Sequence, residues 1–83
     1  MPPYKERFPE GSRIRIKPLP FLEQFQQSWK LHHPLTNEQL NFAATDDVVR
    51  GVGFYHGGDA LYTLQRAPGM WHEECLAEPV DSN

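Results

Sequence analysis

Residues 48–55 read Val-Val-Arg-Gly-Val-Gly-Phe-Tyr, and this stretch decides the fold of the 83-residue chain. It is rich in β-branched and aromatic side chains, which favour the pleated surface of a sheet. Gly51 and Gly53 within it indicate a bend or the close approach of another backbone. The pair Gly57-Gly58 predicts a hairpin turn, because adjacent glycines adopt the positive φ of tight turns. We therefore predict a β-strand that turns back on itself.

The segments after this hairpin continue the same pattern. Residues 61–65, Leu-Tyr-Thr-Leu-Gln, are typical of the returning strand. Pro68-Gly69 then predicts a second turn. Residues 70–76 form the expected last strand, which ends before Pro79. Residues 47–77 are thus predicted to be a three-stranded meander.

The N-terminal part adds a further strand. Gly11 and Ser12 predict a turn, and residues 13–17, Arg-Ile-Arg-Ile-Lys, alternate with the period of a half-buried strand. Ile14 and Ile16 should face the core. Residues 1–10 hold three of the eight prolines and are predicted to be an extended arm, whose Phe8 packs under the sheet, ahead of the first strand at 11–17.

The segment 19–45 is predicted to be an insert between strands. Phe21, Leu22, Phe25 and Trp29 share one face of a helix that starts near Pro20. Thr36 and Gln39 have the spacing of a capping box, which favours one more short helical turn. The alternative is a long loop throughout, because short isolated helices are marginally stable.

Composition limits the class of protein. A chain of 83 residues has room for one core, so we expect a single domain over 1–83. Cys75 is the only cysteine, which excludes an internal disulfide and favours a reducing compartment. The chain has no apolar segment typical of a signal peptide or a membrane span, so a cytoplasmic location is expected. Because no disulfide stabilises so small a core, we also expect a homo-oligomer.

Charge is distributed unevenly along the chain. Residues 1–30 carry six basic and three acidic side chains, a net +3, whereas residues 31–83 carry two basic and eight acidic ones, a net −6. We expect these two halves to pair within the fold, and the alternative is a charged external partner. The total of −3 makes nucleic acid an unfavoured partner.

Four short pieces of the sequence resemble SH3-like small barrels. They are residues 11–16, 51–55, 62–64 and 73–76, in an order similar to that of the electron-transport accessory β-barrels. This group includes a photosystem I subunit, the variable chain of ferredoxin:thioredoxin reductase and the nitrile hydratase β-subunit barrel. The layout is also similar to that of plasmid-borne type II dihydrofolate reductase. The resemblance implies a mainly β barrel of about five strands with a helical or loop insert near residues 20–44.

The sequence departs from these groups where their functions reside. Type II dihydrofolate reductases have Val-Gln-Ile-Tyr after the Pro-Gly turn, whereas here Met-Trp-His-Glu-Glu follows at 70–74. Folate and NADPH binding therefore cannot be transferred, and no cofactor is predicted. The photosynthetic barrels dock acidic ferredoxin through basic residues, but the second half of this chain is acidic. The chemistry of nitrile hydratase resides in a partner subunit, so the resemblance implies a fold and no activity.

Three groups of residues are candidates for chemistry. On a continuous strand, the side chains of His72-Glu73-Glu74-Cys75 alternate between faces and cannot converge on a metal, so no metal site is predicted. Burial of Cys75 is favoured over a reactive thiolate. His32-His33 are expected on the surface. A pair between His56 and Asp59 across the turn is a weaker alternative, and no nucleophile accompanies it, so no catalytic residue is predicted.

The aromatic residues give the candidate binding surface. Tyr55 shares a strand face with Gly51 and Gly53, which suits a peptide, a base or a flat ligand. The alternative is that the aromatic side chains complete the core. The candidate site residues are Tyr55, His56, Asp59, Tyr62, Trp71 and His72.

Three functions follow from these observations. The first is a non-catalytic protein-binding module or small accessory subunit, with self-association as a variant. The second is a small oligomeric enzyme with a pocket between subunits. The third is a nucleic-acid-binding barrel, because small barrels can stack bases on aromatic side chains.

Overall fold

A computed structural model describes residues 6–55 and 58–79, and they form a mainly β structure with two helices. The five strands are β1 (Arg13–Ile16), β2 (Asp46–Tyr55), β3 (Asp59–Leu64), β4 (Trp71–His72) and β5 (Leu76–Ala77). The helices are α1 (Leu19–Ser28) and α2 (Asn37–Leu40), and a 3₁₀ turn, η1, covers Glu73–Cys75. The predicted fold class, with about five strands and a helical insert, is confirmed.

The strands form one antiparallel sheet in the order β4-β3-β2-β1-β5. The long strand β2 pairs with β1 through Asp46 to Val48 and with β3 from Val49 onward. The register shifts between Val49 and Gly51, which marks a bulge at Arg50. The described strands do not close into a barrel, because β4 and β5 pair with β3 and β1 and not with each other.

The predicted continuous strand over residues 70–76 is wrong. The 3₁₀ turn η1 divides it into β4, which pairs with β3, and β5, which pairs with β1. The chain must therefore cross from one edge of the sheet to the other within three residues, and a straight strand cannot do so. Local alternation carries no signal for this crossing, because it depends on which distant strands the two halves join.

The insert folds as two short helices. Leu22 and Phe25 of α1 are buried, and Pro20 occupies the first turn of the helix. Phe21 departs from the predicted buried face, because it is 36% exposed and its ring packs 4.3 Å from the ammonium group of Lys17. The capping box that begins α2 is present, with both reciprocal bonds between Thr36 and Gln39.

The core lies between the curved sheet and α1. Ile14 and Ile16 are buried as predicted, and Phe8 from the N-terminal arm joins them. The backbone N–H groups of Arg7 and Phe8 donate to the hydroxyl of Tyr62 at 3.1 and 3.3 Å. Residues 7 and 8 of the arm are thus fixed against the core by hydrogen bonds as well as by the packing of Phe8.

Two buried polar side chains hold the turn between β3 and β4. The carboxylate of Asp47 accepts hydrogen bonds from the backbone N–H groups of Val48, Arg66 and Ala67. The amide of Gln39 donates to the carbonyl of Met70 at 2.9 Å. Buried polar groups are stable when they are paired in this way, so residues 66–70 are tightly positioned.

Candidate binding face

Alternation along β2 and β3 separates an inner face from an outer face. Val49, Leu64 and Tyr62 point into the core and are fully or almost fully buried. The residues next to them along each strand, and the cross-strand partners of those residues, point to the other side. We define the outer face by the following residues: Arg13 on β1; Val48, Gly51, Gly53 and Tyr55 on β2; Asp59, Leu61 and Thr63 on β3, with Gln65 just beyond it; and His72 on β4.

An open trough lies in the middle of the outer face. It has a volume of about 280 Å³. Its lining residues are Gly51, Val52, Gly53, Leu61, Thr63 and Met70. Most of these are apolar or have no side chain, so the trough exposes backbone and hydrocarbon surface together.

The two glycines shape this trough differently. A Cβ atom at Gly51 would lie 3.1 Å from the Thr63 hydroxyl oxygen, so the approach of the neighbouring strand restricts that position. A Cβ atom at Gly53 would meet nothing within 4 Å. The space above Gly53 is therefore open, and a side chain at position 53 would fill it.

One end of the trough meets a cluster of rings. The imidazole of His32, from the segment between the helices, stacks on the ring of Tyr55 with centroids 3.8 Å apart. Its Nε2 lies 2.9 Å from Oδ2 of Asp59. Trp29 meets His32 edge-on, and its indole N–H donates to the His32 carbonyl at 2.7 Å. The insert is thus attached at the end of β2, through Tyr55, and at the start of β3, through Asp59.

Two further histidines complete the cluster. The Nδ1 atoms of His32 and His33 lie 3.2 Å apart. The buried His72 donates from Nε2 to the His33 carbonyl at 2.9 Å, since a carbonyl oxygen can only accept. Burial is the main cause that lowers the pKa of His72. His72 is therefore a neutral donor that holds the insert against β4.

The expectation that His32 and His33 both lie on the surface is wrong for His32. Its side chain is only 15% exposed, because the ring is covered by Tyr55 and Trp29. His33 is exposed and has a positive φ of 49°, which is uncommon for a residue with a side chain. The left-handed backbone brings two adjacent rings together, and nothing in the local sequence signals it.

The opposite end of the trough is basic. A cleft of about 210 Å³ is lined there by Arg13, Asp46, Asp47, Val48, Gln65 and Arg66. The Asp46 carboxylate is paired with Arg15 at 2.9 Å, and the Asp47 carboxylate accepts backbone N–H groups. Arg13 is exposed and forms no ion pair with any residue that the structure describes. The acidic side chains of this cleft are thus already engaged within the fold.

The candidate residues from the sequence fall into two groups. Tyr55, Asp59 and His72 meet in the ring cluster, together with His32, which the sequence did not select. Tyr62 and Trp71 are fully buried on the inner face. His56 lies outside the described residues, as does its predicted pairing with Asp59. Met70 and Thr63 of the trough were also missed, since neither belongs to a motif.

Neither a metal site nor a reactive thiol is found among the described residues. Among residues 6–55 and 58–79, no three His, Cys, Asp or Glu side chains are arranged so that they could hold a metal ion. Burial raises the pKa of the Cys75 thiol to about 12, which suppresses the reactive thiolate.

Neither α1 nor α2 has the length and apolar character needed to cross a membrane.

Fold and site together define a small mainly β domain with an open, partly apolar outer face. Comparison with protein-family models, with curated proteins and with solved structures gave no match. The outer face must therefore be interpreted from its own geometry.

Proposed function

We propose that this chain is a non-catalytic protein-binding module, which holds an extended segment of a partner protein in the trough on its outer face. The observation that carries the proposal is the open space above Gly53, which is bordered by Leu61, Thr63 and Met70. Glycine in a strand interior lowers stability, so its presence beside an open trough favours a bound backbone there.

The trough has the chemistry of a peptide site. Apolar walls bury side chains, and the accessible backbone of a glycine strand allows a second chain to come close. Tyr55 borders the same face and is 36% exposed even beneath His32. Aromatic side chains of this kind are enriched where proteins bind one another.

We further propose that the strand topology is that of an SH3-like small barrel whose described sheet is not closed. Three features support this: the strand order β4-β3-β2-β1-β5, the bulged strand β2 that pairs with both β1 and β3, and the 3₁₀ turn between β4 and β5. Residues 19–45, with both helices, then form an enlarged loop after the first strand.

The enzyme hypothesis has less support from the same structure. Two of the candidate site residues that such a pocket between subunits would need, Tyr62 and Trp71, have side chains that are fully buried within one chain. Tyr62 also donates its hydroxyl to Glu73 in the same chain, at 2.5 Å.

A graded series at Gly53 tests the binding proposal. The wild-type chain, G53A and G53V are each panned against a library of random dodecapeptides displayed on phage. We expect wild-type protein to enrich related sequences, G53A to bind them more weakly, and G53V to lose them, because a branched side chain fills the trough. NMR amide shifts on adding the selected peptide should map to Gly51, Gly53, Thr63 and Met70.

G53A and G53V can separate binding from folding, because peptide affinity should fall while the stability of the fold should rise. Gly53 has no positive φ and no neighbour within 4 Å of a new Cβ, so valine should raise stability by up to about 1 kcal/mol. Two results would contradict the proposal: no enriched peptide with wild-type protein, or peptides that bind G53V equally well.

A further inference from the structure

The apolar trough and the basic cleft are successive parts of one surface. Gln65 follows Thr63 on the outer face of the chain leaving β3, and the Gln65 N–H donates to the carbonyl of Val48. Thr63 and Gly51 line the trough, whereas Val48 and Gln65 line the cleft. A chain that lies along β2 and β3 therefore passes from apolar surface to basic surface.

The charge of the cleft depends on which of its charged side chains are already paired within the fold. Arg15 neutralises the carboxylate of Asp46 at 2.9 Å. Arg66 donates from its guanidinium to the backbone carbonyl of Asp46, so its positive charge is not matched by a carboxylate. The residual charge at this end of the outer face is positive, although the whole chain carries −3.

The Asp47 carboxylate offsets only part of this charge, because Arg13 and Arg66 together outnumber it, and it offers no free acceptor at the surface. Its side chain is buried and its oxygens accept the backbone N–H groups of Arg66 and Ala67. Arg13, by contrast, projects from β1 with no ion-pair partner among the described residues. Arginine presents a planar set of donors that matches a carboxylate in two parallel hydrogen bonds.

From this juxtaposition we propose that the partner is an extended acidic peptide segment, with an apolar side chain in the trough at Gly53 and a carboxylate between Arg13 and Arg66. The inference rests on the proposed binding function and specifies the chemistry of the partner. Gly53 and Val48 are five positions apart on β2, which is roughly 15 Å in an extended strand. The carboxylate therefore belongs four to five residues from the apolar side chain.

Charge reversal at Arg13 tests this assignment. The dodecapeptide library is panned against wild-type protein and against R13E, with K30E as a control that makes the same charge change on an exposed residue of the insert. We expect wild-type protein and K30E to enrich Asp or Glu four to five positions from an apolar residue. R13E should instead enrich Lys or Arg at that spacing, and it should bind the wild-type peptides about tenfold more weakly. R66Q, which keeps a hydrogen-bond donor, should weaken the binding of these peptides less than R13E does.

The outcomes separate the two proposals. Peptides that R13E and wild-type protein bind equally, but that G53V does not bind, overturn the acidic assignment and leave the trough as the binding site. If the peptides enriched by wild-type protein show no preference for Asp or Glu, the acidic assignment is likewise overturned and the trough remains the binding site. Absence of any enriched peptide with wild-type protein overturns both proposals.

Discussion

His32 lies flat on the ring of Tyr55, with centroids 3.8 Å apart and an angle of 14° between the ring planes. The two residues are 23 positions apart in the sequence, and their contact joins the insert to the β2–β3 hairpin. Asp59 fixes the other side of the imidazole through its carboxylate. The insert is therefore a packed part of the domain beside the trough.

Replacing His32 by alanine should loosen the insert and uncover Tyr55. An aromatic pair contributes about 0.5–1.5 kcal/mol and a hydrogen bond a similar amount, so we expect H32A to lower the free energy of unfolding by about 1–3 kcal/mol. Urea denaturation followed by Trp fluorescence measures this. H33A is the matched control, and its loss should be smaller because His33 is exposed. Equal losses in both variants would show that the stacked contact is not stabilising.

Tyr62→Phe should weaken the attachment of Phe8 to the core. The Tyr62 hydroxyl donates to Glu73 at 2.5 Å and accepts from Arg7 and Phe8. Its removal leaves the Phe8 N–H without this acceptor, whereas the Arg7 N–H keeps its 2.9 Å bond to the Glu73 carboxylate. We expect a loss of about 1–3 kcal/mol in the free energy of unfolding. Faster amide hydrogen exchange at Phe8 should accompany it. Unchanged protection at Phe8 would contradict the proposed role of the hydroxyl.

The same residue should make the fold sensitive to alkali. Burial and the bond to Glu73 raise the pKa of Tyr62 from 10.0 to about 12. The unfolded chain loses this proton first, so the stabilisation is complete below pH 10 and is lost as the pH rises from 10 through about 12. The slope should reach about 1.4 kcal/mol per pH unit. Urea titrations at pH 9 to 11 should show this component in wild-type protein and Y55F but not in Y62F.

His72 should contribute acid sensitivity. Burial lowers its pKa below the ordinary value of 6.5, so the unfolded chain takes up the proton before the folded one does. Stability from this group is present above about pH 6.5 and falls as the pH is lowered through the folded pKa, with a slope of up to about 1.4 kcal/mol per unit. H72Q should show a shallower slope between pH 7 and 5. H33Q is the control, and an unchanged slope in H72Q would refute the assignment.

Gly69 should tolerate a side chain less well than Gly11. Both have a positive φ, 81° and 89°, so alanine is strained at either position. At Gly69 the new Cβ would also lie 3.0 Å from Nε2 of Gln39, whereas at Gly11 nothing lies within 4 Å. G69A should therefore be less stable than G11A by thermal denaturation. Equal midpoints would show that Gln39 moves aside at no cost.

The sequence by itself determined those features that depend on neighbouring residues. Alternation identified Ile14 and Ile16 as core residues, the spacing of Thr36 and Gln39 identified the capping box, and the composition of residues 48–55 identified a strand. Each of these signals is local, because side-chain direction in a strand and hydrogen bonding at a helix start depend on residues a few positions apart.

Only the tertiary structure decided how these elements combine. Alternation assigned Tyr55 and Tyr62 to definite faces of their strands. It did not show which face of each strand meets the core. Packing assigned Tyr62 and Trp71 to the core and left Tyr55 outside, beneath His32. The outer face, its trough and its basic end depend on contacts between segments far apart in the chain, and such contacts leave no periodic trace in the sequence.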